Sequence, residues 1–404
     1  MYPDLSYLLH DIFGTSVDNA ASLVKSFGLF LAIAFIGSAY VLYLELKRKA
    51  AEGILKPTPT VVIEGVPATM MQLLSNALLG FAMGFKGVYI IQNYATITDP
   101  MSALANMQGN IWAGIAGAVL FVGIKWYENY GKTPTQRTVN LFPHDRTGDI
   151  TMIAAVTGII GAKIFAFFES VGSMNSFLAD PFGSFFSGSG LAIYGGLIGG
   201  TIGVSWYTLR NKIPIRAMAD AVAPALMMGY ALGRLGCHVS GDGDWGIAAA
   251  AQPSWWFLPD WLWAYDYPHN VSNFIDATGR AHFHPNAQLI EGFQGRYAAH
   301  LVPPVYPTPI YEIILSLLTF WLMWRVRRIV RPAGMMMSLY LIFNGVERFF
   351  IEKIRVNDKI DAFGLHFTQA EFISVLFVIF GIIGVILLRR EAKNKDNHLG
   401  VSAA

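Results

Sequence analysis

Nine runs of mostly apolar residues, each close to the thickness of a bilayer core when helical, constrain this chain more than any other feature. They fall at 27–44, 74–92, 110–125, 150–169, 190–208, 217–235, 309–324, 333–351 and 371–388. A bilayer core takes about 20 helical residues, and helices that are apolar on every side need an apolar surrounding. Charged residues make up only 14% of the 404 residues, against about 25% in soluble domains. The spacing therefore predicts an all-α polytopic membrane protein with about nine transmembrane helices. One cysteine, Cys237, excludes an internal disulfide and a multi-cysteine metal site. The N-terminal stretch is acidic and shows no cleavable signal pattern.

Lysine and arginine alternate between the two sets of loops. One set, running from Lys47–Lys49 to Arg389–Lys395, carries 18, and the opposite set carries 6. The positive-inside rule then predicts an outside N-terminus, a cytoplasmic C-terminus and an odd number of spans. It also places four polar segments on the outer boundary: GRLGCHVSGDGDWG (233–246), SGSGLAIYGGLIGG (187–200), VYPTPIYE (305–312) and GVERFFIEKIRVND (345–358).

The chemistry of these segments suggests an anion. Arg348 and Glu352 are four residues apart and share a helix face, with Glu347 pointing elsewhere. Arg234, Glu312 and Asp242 lie at the same depth, and two guanidinium forks suit a phosphate. Lys163 interrupts an apolar run, as Lys86 does; it is either capped by carbonyls or a third cation under the phosphate. Gly195 and Gly196 allow backbone approach to a ligand or close helix packing, whereas Gly199, Gly200 and Gly203 read as packing. Tyr194 is a belt aromatic or a site residue. His238, Asp242 and Asp244 read as a hydrated turn or as metal ligands, without the spacing of an EF-hand. Cys237 is a packing residue, a nucleophile or a lipid-attachment point. The connection 237–308 carries Trp255, Trp256, Trp261 and Trp263 and reads as an outer lid or docking platform.

In this order and combination, GRLGCHVSGDGDWG, YGGLIGG, YPTPIYE and ERFFIEKIR resemble the motifs of the bacterial prolipoprotein diacylglyceryl transferase family. The resemblance spans roughly residues 27–54 and 150–390. It implies seven family-like spans plus two inserted ones. The domains expected are 1–54 with the first span, an insertion at 55–149, a transferase-like core at 150–390 with the outer loop 237–308, and a cytoplasmic tail at 391–404. The implied reaction moves a diacylglyceryl group from phosphatidylglycerol to the cysteine thiol of a lipoprotein precursor. It takes place at the periplasmic face of the bacterial inner membrane. The implied partners are the phospholipid and the precursor's signal peptide. No nucleic acid, cofactor or metal is expected, and the chain is read as a monomer.

Carried over by position, Gly233, Arg234 and Gly236 match the family's glycine–arginine start, with Arg234 on the lipid phosphate. Arg348 and Glu352 match its late arginine and glutamate. Tyr311 and Glu312 match the end of its histidine–proline–serine–glutamine–x–tyrosine–glutamate motif. Asp242 falls where the family has a glutamate, one residue out of step, which keeps Asp244 a candidate. Lys163 stands for an arginine. Three positions depart: Tyr194 and Tyr306 replace histidines and Cys237 an asparagine. Tyrosine, with an ordinary pKa near 10, is a poor base. Tyr194 would then serve a developing oxyanion, with His238, Asp242 or Asp244 as base. The alternative reading is a relative that holds a phospholipid at this site with another acceptor, or a non-catalytic lipid handler or transporter.

Overall fold

A computed structural model of the chain describes all residues except 65, 94–96, 98–102, 104–107, 129, 169–170, 187–191, 277–278, 358–359, 363–364 and 403–404. Each predicted span coincides with a helix. After the short α1 (Leu5–Phe13) come α2 (Ser26–Ala51), α3 (Met70–Gln92), α4 (Ile111–Glu128) and α5 (Thr147–Phe168). Two short helices, α6 (Val171–Ala179) and α7 (Pro181–Phe186), precede α8 (Ile193–Arg210) and α9 (Ile215–Ser240). The last three are α10 (Thr308–Val326), α11 (Met335–Glu352) and α12 (Gln369–Ser402). Stretches within α2, α3, α4, α5, α10 and α12 are long and apolar enough to cross a membrane. The chain is a mostly helical, polytopic membrane protein. Helices α9 and α11 carry buried charges, Asp220 and Arg234 on one and Glu347 and Glu352 on the other, which lower their apolar content.

The all-α expectation needs correction. Four small antiparallel two-stranded sheets accompany the helices. The longest pairs β1 (Thr58–Glu64) with β2 (Thr135–Leu141), in the register Thr58↔Leu141 to Glu64↔Thr135. The partners are far apart in sequence, so no local turn signal announces the pairing. A second correction concerns the outer loop. α9 runs on to Ser240, because Gly241 first supplies the left-handed residue (φ 63°) that closes a helix. Cys237 and His238 therefore occupy the last helical turn, not a loop.

The chain divides into two compact units, Met1–Leu55 with Ile213–Ala404, and Lys56–Lys212. In the second unit α3 packs on α4, and α5 on α8, through glycines. Gly80 and Gly84 meet the main chain at Gly117 and Ala113; Gly161 meets Gly195 and Gly199. Main chains approach this closely only without a Cβ.

In the first unit α9 packs against α2, α10 and α11, and α11 against α12. Ala223 and Met227 of α9, Met323 of α10, and Met336 and Tyr340 of α11 form its core. At one end Asp220 accepts the main-chain N–H groups of Gly334 (2.8 Å) and Met337 (3.2 Å), while Glu45 pairs with Arg48 and with Arg327 Nε (3.1 Å). At the other end α9 finishes, α10 begins and α11 finishes together. That common end gathers the polar residues considered below.

The glycine contacts make a sharp prediction. A methyl at Gly84 would collide with the Ala113 carbonyl, whereas nothing lies within 4 Å of a Cβ at Gly87. Gly84→Ala should destabilise the protein by about 1–3 kcal/mol, and Gly87→Ala should stay within about 0.5 kcal/mol of wild type. Denaturant titration of both variants in the same detergent checks the difference.

Candidate functional site

Glu312, in the first turns of α10, sits fully buried at the centre of an ion cluster. Its Oε1 accepts hydrogen bonds from Tyr230 Oη (2.7 Å) and Arg348 Nη1 (2.9 Å). Its Oε2 lies 3.1 Å from Arg234 Nε and 3.7 Å from Arg355 Nη1. Helical spacing supplies the partners. Tyr230 and Arg234 are four residues apart on α9, and the guanidinium carbon of Arg234 lies 5.3 Å from the Tyr230 ring centroid. Arg348 and Glu352 are four apart on α11, paired at 3.3 Å, and Asn357 Nδ2 donates to Glu352 Oε1 at 2.5 Å.

Asp244 completes the cluster from the turn after α9. One of its oxygens pairs with Arg234 Nη1 and the other with Arg355 Nη2, the latter at 2.5 Å. Its main-chain carbonyl accepts from Thr308 Oγ1 at 2.8 Å. Burial acts to raise the Asp244 carboxyl, but Arg234 and Arg355 outweigh it and hold the group below the usual carboxylate range. Asp242 goes the other way: burial, then the Asp244 charge, push it up. Two aspartates two residues apart are thus driven in opposite directions. A buried ion survives only when it is paired, and here every guanidinium has a carboxylate.

The structure brings together Arg234, Arg348, Glu352, Glu312 and Asp244 of the residues singled out from the sequence. The other residues singled out have contacts of their own. Tyr311 donates its hydroxyl to the Leu262 carbonyl at 2.6 Å, so it braces the loop and not the ions. Gly236 faces α2: a Cβ there would lie 2.8 Å from Phe30 Cβ. His238 packs between Tyr265 and Tyr267, with Nδ1 3.4 Å from Tyr267 Oη. Cys237 is buried beside Arg234, with 3.9 Å between Sγ and Nη1. Glu347 accepts from Ser316 Oγ at 3.1 Å, one turn deeper along α10. Lys163, Tyr194, Gly195 and Gly196 belong to the other unit. There Lys163 is buried on α5, Tyr194 is half-buried, Gly195 abuts Gly161 and Phe165, and Gly196 lies near Ala162. Residues 187–191 of the glycine-rich segment lie outside the described residues.

Within this unit the cluster also draws in Arg355, Tyr230 and Asn357, none of them singled out from the sequence. The signal for Arg355 was available. Residues 348, 352 and 355 follow one helical stripe, although α11 ends at Glu352. The buried Nε and Nη1 of Arg355 have no hydrogen-bond partner among the described residues.

Cys237, Asp242 and Asp244 bring three donor atoms within 4.8 Å of one another. The geometry does not favour a cation, since Asp244 already neutralises two guanidinium groups that would repel it.

Beside the cluster, residues 247–263 form an apolar platform with a single charge, Asp260. Trp256 and Trp263 pack edge to face at 5.0 Å, and Trp263 meets Tyr306 at 5.5 Å. Trp255, Phe257 and Trp261 remain exposed. The platform is tied to the helix ends: Ile247 N–H donates to the Ile354 carbonyl (2.8 Å) and Ala249 N–H to Pro304 (2.9 Å).

Residues 113–387 match the family model described as prolipoprotein diacylglyceryl transferase. The chain is 29% identical over 256 residues to phosphatidylglycerol–prolipoprotein diacylglyceryl transferase 2 of Clostridium perfringens, covering 62% of this chain and 81% of that protein. It is 29% identical over 250 residues to the phosphatidylglycerol–prolipoprotein diacylglyceryl transferase of Corynebacterium efficiens, covering 61% and 69%. A Buchnera aphidicola protein of the same name is 24% identical over 275 residues, covering 67% and 89%.

The central carboxylate should dominate the stability of this end. Glu312→Ala removes one partner from several buried ions and should cost about 3–5 kcal/mol. Asp266→Asn, at the more exposed Asp266–His300 pair (3.2 Å), should cost no more than about 1 kcal/mol. Denaturant titrations of the two variants, run side by side, test the ranking.

Proposed function

The chain belongs to the prolipoprotein diacylglyceryl transferase family, and on that premise we propose that it moves the diacylglyceryl group of phosphatidylglycerol onto the cysteine thiol of a lipoprotein precursor. The thiolate sulfur attacks the glyceryl carbon that carries the phosphate. A carbon–sulfur bond forms, the carbon–oxygen bond breaks, and glycerol phosphate leaves with the electron pair. The thiol proton passes to a base.

One observation carries the reading: the three guanidinium groups of Arg234, Arg348 and Arg355 converge on one buried point. Negative charge grows on the departing phosphate, and fixed cations there stabilise the transition state more than the ground state. The forks of arginine fit two phosphate oxygens at once. Asp242 and Asp244 divide the remaining work. Asp244, held low by arginine, is a counter-ion and a poor base. Asp242, pushed up by burial and by its neighbour, is the better proton acceptor. His238, packed between two tyrosines, forms a wall. Tyr194, Gly195, Gly196 and Lys163 are proposed to contact the lipid, with the Tyr194 hydroxyl donating to a developing oxyanion.

In this reading all nine long helices cross the bacterial inner membrane. The N-terminus is outside, the C-terminus is inside, and the cluster lies at the periplasmic boundary. The lysine and arginine bias supports that orientation. The region 55–149 is an insertion with two spans, and the precursor's signal peptide reaches the site from the membrane. A second reading, a lipid-binding relative without this transfer, draws its support from Tyr194 and Cys237, which stand where the family has histidine and asparagine.

Purified protein supplied with labelled phosphatidylglycerol and a lipobox peptide should yield the thioether product. Arg234→Ala and Arg348→Ala should each lower kcat/KM by about a hundredfold or more. Asp242→Asn should lower kcat about a hundredfold with lipid binding retained. Arginine-dependent lipid binding without any product would favour the second reading.

A further inference from the structure

The ion cluster is already balanced. Arg234, Arg348 and Arg355 are matched by Glu312, Glu352 and Asp244, each within ion-pair distance of at least one of them. A phosphate diester brought there adds another negative charge to a buried setting, where like charges repel strongly. One carboxylate has to yield its place.

Position decides which one. Glu312 is fully buried on α10 and is held by Tyr230, Arg234 and Arg348. Glu352 is buried on α11 and is held by Arg348 and Asn357. Asp244 lies outside any helix, and its side chain keeps 28% exposure. Its carboxylate oxygens are held by the two guanidinium groups alone among the described residues. Its main chain is pinned through Thr308, so the side chain can turn toward the open side without dragging the loop.

Asp244 also presents its charge as a phosphate diester would. One oxygen faces Arg234 and the other faces Arg355, a two-oxygen bridge between two forks. Among the described residues, Arg355 still has Nε and Nη1 without hydrogen bonds. A tetrahedral anion with more oxygens than a carboxylate can use donors that Asp244 leaves idle.

We infer that Asp244 is a displaceable internal counter-anion: it holds Arg234 and Arg355 in place and gives them up when a phosphate diester arrives. The inference rests on the lipid-phosphate reading of the cluster. It assigns Asp244 a positioning role and a cost: part of the lipid's binding energy goes into moving this carboxylate. It also explains how three arginines can stay ordered in a buried setting and still bind an anion.

The test uses full-length protein in detergent with dihexanoyl phosphatidylglycerol as the probe. Asp244→Asn should unfold at a lower temperature than wild type without lipid. It should bind the probe about tenfold more tightly and gain more thermal stability from it. A merely structural Asp244 predicts the reverse, looser arginines and weaker binding. Wild-type protein labelled with 13C at aspartate carboxyls gives a measurement independent of any variant's folding. One carboxylate infrared band should move from an ion-paired to a hydrated frequency on addition of the probe. Equal or weaker binding by Asp244→Asn, or no band shift, overturns the inference. Should binding then still depend on Arg348, the lipid-phosphate reading stands without it. Failure of the wild type to bind the probe at all ends both.

Discussion

One buried carboxylate, Glu312, organises the functional end of the first unit. Arg234 arrives from α9, Arg348 from α11 and Arg355 from the chain just beyond it, and all three meet this single side chain. Each arginine has a second carboxylate, Asp244 for Arg234 and Arg355 and Glu352 for Arg348, but Glu312 is shared by all three. Glu312 thus joins the ends of α9 and α11 to the start of α10. The methionine-rich core beneath can repack with little penalty, since Met adapts to irregular gaps. The ion cluster cannot.

That arrangement meets two opposed demands. The phosphate site proposed here needs concentrated positive charge, and a folded interior cannot hold concentrated charge of one sign. The cluster meets both by carrying its own anions. Two of them, Glu312 and Glu352, are locked into helices. The third, Asp244, sits in a turn and is partly open. The neighbouring Asp242 feels the Asp244 charge and is pushed up by burial, so one short turn holds both a counter-ion and a candidate base. Such separation of paired carboxyl groups is a recurrent way to obtain distinct acid–base roles from like residues.

Much of this was legible in the linear order of residues. The apolar runs announced every long helix, since length and apolarity are local properties. Arg348 and Glu352 were readable as a pair because helical spacing places them on one face. The same stripe extended to Arg355, but a residue beyond the helix end loses that geometric guarantee. Tyr311 and Gly236 sit within motifs and yet serve packing, one bracing the loop at Leu262 and the other making room for Phe30. Lys163 looked as functional as any arginine, and apolar surroundings alone could not say where its ammonium goes. The β1–β2 pair was invisible, because its partners meet only after the intervening helices have turned back.

The amino-acid order alone settled the solvent, the helices and the family, because hydropathy, helical period and short motifs are all read within a few residues. It also pointed to an anion held by arginine as one reading of the polar segments. Only the folded chain decided that Asp244, and not Asp242, bridges two guanidinium groups, and that Glu312 stands at their centre. Those facts depend on distances between residues up to 111 positions apart. Interactions at 3 Å across such separations follow from how the helices pack, which no local pattern encodes.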